Sequence, residues 1–83
     1  MHFIRQAEYI GEYKVRLVFE DGSTRVADLS CHLDGEIFEP LKNIDYFRTL
    51  RLEHDLDTIV WDNGADMSPD FLYEISEKAS EAA

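Results

Sequence analysis

The sequence predicts an α+β fold: a small antiparallel sheet, made of a three-stranded N-terminal meander plus a second hairpin, packed with a C-terminal helix and short helical turns. Three observations carry this. Tyr13, Val15, Leu17 and Phe19 alternate with Lys14, Arg16 and Glu20, the period of a half-buried strand. Glycine-bearing turns, Gly11-Glu12 and Glu20-Asp21-Gly22, stand at both ends of that strand. Ser68-Pro69-Asp70 has the chemistry of a helix start, with a capping hydroxyl, a proline at the first position and an acid in the first turn.

The elements follow in order. Phe3 to Ile10, rich in β-formers, is the first strand; the second runs to Phe19 with Val18 as its apolar exception; Thr24 to Leu29 returns beside it. Three strands joined by two short turns make a meander. Pro40 sits where a short helical turn carrying Leu41 would begin. Asp45 to Arg48 reads as a second turn, capped by Asn43 or Asp45. Phe38, Leu41, Ile44 and Phe47 recur every three residues and predict one apolar plug under the sheet. Leu50–Glu53 and Thr58–Trp61 form the second hairpin around Asp55-Leu56-Asp57. The C-terminal helix buries Phe71, Leu72, Ile75 and Ala79 over three turns, with Met67 and Leu72 as a hydrophobic staple. Eighty-three residues make one domain, with 77–83 as a frayed tail and a radius of gyration of about 12 Å.

Charge narrows the partners. Eight Lys+Arg against eighteen Asp+Glu give −10, and from Leu52 to Glu77 there are eight acids and no Lys or Arg. Such a body repels phosphate backbones and anionic membranes, so neither direct nucleic-acid binding nor membrane binding is expected. The acids read as a solvated face or as a docking surface for a basic partner. One cysteine, Cys31, permits no internal disulfide. The polar residues among the first twenty leave no signal-peptide core, so a cytoplasmic protein is expected.

Residues able to do chemistry are few. Cys31-His32 lacks the second ligand pair that structural zinc requires, and reads as a half-buried thiol beside a surface imidazole. Asp62 to Asp70 superficially resembles a calcium loop, but the glycine and bidentate glutamate positions hold Met67 and Tyr73. The plainer reading is a turn at Asn63-Gly64, with Asp66 and Ser68 serving the N–H groups of the next helix. Asp28, beside Val26, Ala27 and Leu29, either caps the following turn or lines a shallow pocket with a raised pKa. No phosphate-binding loop, nucleophile elbow or kinase signature is present, so no catalytic residue, metal site or cofactor is assigned and the chain is read as no enzyme.

The series Phe19-Glu20-Asp21-Gly22, Val26-Ala27-Asp28-Leu29, Phe38-Glu39-Pro40-Leu41 and Ile59-Val60-Trp61-Asp62-Asn63-Gly64-Ala65-Asp66-Met67-Ser68-Pro69-Asp70-Phe71-Leu72-Tyr73 resembles domain-of-unknown-function family 2442 over roughly residues 3 to 75. The resemblance implies a small bacterial α+β domain. It is fused in some members to a helix-turn-helix domain, and in others encoded beside a small protein in a toxin–antitoxin-like arrangement. It supplies no catalytic residues, and a chain ending at Ala83 is not expected to carry the DNA-binding extension. The leading expectation is therefore a non-catalytic interaction or regulatory module whose partner is a small, more basic protein or a second copy of itself. The alternative is a small-ligand sensor. Asp28, Trp61, Asp62, Asn63, Asp66, Asp70 and Tyr73 are the candidate interaction or pocket residues.

Overall fold

A computed structural model describes residues 2–79. Strands β1 (Ile4–Gly11), β2 (Lys14–Phe19) and β3 (Thr24–Asp28) form the meander. A 3-10 turn (Glu39–Lys42), helix α1 (Ile44–Phe47), hairpin β4–β5 (Arg51–Glu53, Thr58–Val60), helix α2 (Pro69–Ile75) and a two-residue strand β6 (Glu77–Lys78) follow. The main sheet is antiparallel in the order β1-β2-β3-β6, and β4–β5 forms a second sheet. The predicted α+β class and meander are what the chain adopts, with a Cα radius of gyration of 12.0 Å.

Alternation sets the inner face. Val15, Leu17 and Phe19 of β2 are buried, as is Ala27 of β3. In β1 the inward positions are Ile4, then Ala7 and Tyr9, a change of parity that alternation alone forbids. Ile4 pairs with Phe19 and Gln6 with Val18, so one extra residue enters at Arg5 and resets the facing. Gly22, with φ of 86°, makes the β2–β3 turn, whose Asp21 carboxylate accepts from the Ser23 N–H at 2.8 Å.

The apolar plug is real but smaller than the three-residue spacing suggests. Leu41 and Phe47 are fully buried, whereas Phe38 is half-buried and Ile44 is 39% exposed. Leu41 and Ile44 stand on separate turns with an extended Asn43 between them, so one spacing does not mean one face. Asn43, not Asp45, caps α1, its side chain accepting from the Asp45 N–H at 3.0 Å.

Helix α2 starts at the expected residue by different means and stops early. Pro69 takes the first position, but the Ser68 hydroxyl makes no capping bond. The Asp70 carboxylate faces outward and accepts the His2 backbone N–H at 2.8 Å. Met67 and Leu72 are both buried, as a staple requires. The helix has seven residues, about two turns, because Arg25 intercepts its end. The guanidinium donates to the Ser76 hydroxyl (2.6 Å) and carbonyl (2.7 Å), while that hydroxyl donates to the Tyr73 carbonyl. Ser76 turns extended, Glu77 and Lys78 pair with Val26 and Arg25, and the Ala79 N–H donates to the Thr24 carbonyl. Residues 77–79 thus belong to the sheet rather than to a tail or helix, and the remainder of the expected tail lies outside the described residues.

Candidate interaction face

Asp28 sits at the exposed end of β3 and caps the turn that follows: its carboxylate accepts from the Ser30 N–H at 3.0 Å. That backbone bond, with help from the Ser30 side chain, holds its pKa below the usual carboxylate value of 3.8. A raised pKa is therefore the wrong sign. Asp28 borders open depressions beside Lys14 and Ile75 and beside Tyr13 and Ile44. Neither is lined by Trp61 or Tyr73, so the sensor alternative, which would place a pocket between sheet and helix near Asp28, Trp61 and Tyr73, finds no depression shared by the three.

Trp61 is withdrawn from the surface. It is 2% exposed, packs on Phe47 at 5.7 Å between ring centroids and donates its indole N–H to the Phe47 carbonyl at 2.8 Å. With its body and its polar tip both satisfied internally, the side chain presents only this sliver to the groove it lines with Asp62 and Asp66. Tyr73 is half-buried in an aromatic cluster: His2 stacks on it at 3.7 Å, Phe19 meets it edge-on at 5.0 Å, and Arg25 lies 4.2 Å from the ring centroid. Its role is to tie the chain start to α2. Cys31 and His32 exchange the predicted roles. The thiol is exposed, and the half-buried imidazole meets Phe71 edge-on at 5.3 Å because the chain reverses after β3.

The remaining candidates cluster around the β5–α2 connection. The Trp61 N–H donates to the Ala65 carbonyl and the Gly64 N–H to the Trp61 carbonyl, closing a tight turn with Gly64 at φ of 91°. Asn63 is its internal clamp. Its carbonyl oxygen accepts from the Ala65 N–H at 3.0 Å and its amide donates to the Ile37 carbonyl at 2.9 Å. Val60 and Asp66 form a bridge across the turn, so alternation sends the Asp66 carboxylate to solvent while Ala65 and Met67 go inward. Asp62 is exposed and paired with Arg51 at 3.3 Å. These backbone bonds account for the motif without an ion, and among the described residues no three His, Cys, Asp or Glu converge as metal ligands.

Asp62 and Asp66 border a shallow groove with Glu53, Gly64 and Leu56. On its other side Leu56 borders a second depression with Asp66, Met67 and Pro69. Leu56 is 54% exposed and escaped notice in the sequence, where it was one residue inside a hairpin turn. The position of a lone leucine between Asp55 and Asp57 was the available signal. Arg25 was missed as well, because its target Ser76 is 51 residues away.

No helix among the described residues is long and apolar enough to cross a membrane. A family model described as "Protein of unknown function (DUF2442)" matches residues 4–78. No curated protein and no solved structure matches the chain.

Proposed function

The chain belongs to the DUF2442 family of proteins of unknown function, and from that premise we propose that it is a non-catalytic interaction module of the bacterial cytoplasm. Its partner is a small, more basic protein, in the manner of an antitoxin and its neighbour. The observation that carries this reading is the segregation of charge. Lys14 and Arg16 lie on the β2 positions opposite the buried residues and are matched there by Glu12 and Glu8. From β4 through α2, Asp55, Asp62, Asp66, Asp70 and Glu74 are all exposed, and Arg51 is the one Lys or Arg of that stretch, which also holds His54. Complementary charge chiefly accelerates and orients association, so the complex should weaken as salt rises.

The test is affinity capture from a bacterial lysate with the full chain at low and high salt, followed by mass determination of whatever is retained stoichiometrically. A basic protein held at low salt and released at high salt is the expected result. Absence of a stoichiometric partner at both would remove the reading.

A further inference from the structure

We infer that the partner docks at the groove beside Leu56, and that the part of the partner that enters it is an extended basic segment with an apolar side chain between lysines or arginines. This rests on the function proposed above and specifies its site.

The groove itself supplies apolar surface. Among the described residues Leu56 is the most exposed of the large hydrophobics, and it borders both depressions. The buried Val60 and Ala65 line the first depression with it, and the buried Met67 the second. Gly64 lines the groove, and on the side where it would carry a Cβ the Ile37 side chain, itself 45% exposed, lies within van der Waals reach, so a second exposed apolar side chain stands next to that glycine.

Leu56 is also held rather than loosely displayed. Its N–H donates to the Glu53 carbonyl at 3.1 Å, closing the turn. Asp57 follows in the left-handed region at φ of 54°, its carbonyl accepts the Ile4 N–H at 2.9 Å, and its carboxylate pairs with Arg5 at 3.4 Å. Three contacts therefore fix the tip before any partner arrives, which lowers the ordering cost of binding.

Charge selects the occupant. Glu53, Asp55, Asp57, Asp62 and Asp66 surround the groove and the tip, against Arg5 and Arg51. Five carboxylates facing two guanidiniums leave three negative charges unmatched, and Asp55 and Asp66 have no ion-pair partner among the described residues. A second copy of this chain, at −10, offers the wrong sign. A segment alternating basic and apolar side chains places its bases at the carboxylate rim and its apolar groups against Leu56 and Ile37.

The experiment titrates the isotopically labelled full chain with the peptide Lys-Leu-Lys-Leu-Lys, and with Lys-Ser-Lys-Ser-Lys as control. The expected result is amide shifts confined to residues 37 and 53–67. Binding should be at least about tenfold weaker for the serine peptide and for Leu56→Ser, and weaker again for Asp66→Asn. Leu56 and Asp66 are exposed, so both variants should keep the parent's circular dichroism. Equal binding of the two peptides, shifts scattered over the outer sheet face, or a Leu56→Ser chain that binds like the parent would each overturn the inference. So would sedimentation showing that the chain dimerises through Leu56. The natural partner separates the two levels of the argument. If the lysate yields a basic protein whose capture is unaffected by Leu56→Ser and Asp66→Asn, the docking site is wrong and the function stands.

Discussion

Removing the Trp61 side chain should bring this domain to the edge of unfolding. The residue is 2% exposed, lies in the same cluster as Phe47, Leu72 and Ile59, and its indole N–H is bonded to the Phe47 carbonyl. Truncation of a fully buried tryptophan to alanine costs about 3–5 kcal/mol through lost burial and the cavity left behind. A chain of this length has a total stability of roughly 4–12 kcal/mol, so the change takes a large part of it. The hydrogen bond is the smaller share, because the Phe47 carbonyl also accepts the Leu50 N–H at 3.2 Å and is not orphaned when the indole is removed. Trp61→Phe should therefore cost only about 1–2 kcal/mol. Far-ultraviolet circular dichroism is the appropriate readout, since Trp61 is the chain's one tryptophan. At about 4–8 °C per kcal/mol for a domain of this size, Trp61→Ala should melt at least about 12 °C below the parent, with the phenylalanine variant between them. An alanine variant melting within about 4 °C of the parent would mean that the ring is not in the core, and the assignment of surface and interior in the β5–α2 segment would have to be redrawn.

Capping gives a paired prediction. Asn43→Ala should cost about 0.5–2 kcal/mol because its side chain bonds the Asp45 N–H, whereas Ser68→Ala should fall within about 0.5 kcal/mol of the parent because the Ser68 side chain bonds nothing. Urea denaturation of the two variants checks both, and a larger loss for Ser68 would reverse the reading. Arg25→Lys should destabilise by about 1–2 kcal/mol, since an ammonium cannot reproduce the double donation to Ser76. The Glu77 and Lys78 amides should then exchange faster with solvent, and unchanged exchange would separate β6 from Arg25. Asp21 is held below 3.8 by its bonds to the Ser23 side chain and backbone, and Asp28 by those to the Ser30 backbone and side chain. Both are depressed relative to the unfolded chain, so their contribution is complete above that value and is lost as pH falls through the folded pKa. Carbon-detected titration should place both midpoints below 3.8, and Asp28→Asn should flatten the acid limb of the stability profile.

What the sequence made legible was whatever neighbouring residues decide. Alternation in β2, the glycine turn at Gly22 and the proline at the start of α2 are local facts with local consequences. What it hid depends on distant partners. Ser76 ends α2 because Arg25 reaches it from β3, and nothing near Ser76 announces that. Strand β6 has two residues, too few for any period to show. The bulge at Arg5–Gln6 changes the parity of β1 through its pairing with Val18. Ile44 shared a spacing with Leu41 and Phe47, but the intervening turn points it elsewhere. The candidate site divides along the same line. Asp62 and Asp66 reach the surface because a turn and a bridge put them there, with the buried Trp61 lining the same groove, while Asp28 and Tyr73 go to separate places.

The residues that shape the β5–α2 connection also explain why its acids are available. Asn63 and the backbone of Trp61, Gly64 and Ala65 satisfy one another, so the turn does not need Asp62 or Asp66 as caps. The helix start does not need them either, since Pro69 occupies its first position and no side chain caps it. At the hairpin the left-handed Asp57 takes the tension of the turn and the pairing with Arg5, leaving Asp55 and Leu56 outside. A carboxylate used as a cap is held by backbone N–H groups, as Asp28 is, and its charge is largely matched in place. Those of Asp55 and Asp66 are not, and unmatched charge beside an exposed leucine on a backbone-anchored turn is the combination that a basic, partly apolar segment can satisfy. Because the backbone and Asn63 close these loops, and Arg5 and Arg51 take up Asp57 and Asp62, the carboxylates of Asp55 and Asp66 are left to meet something else.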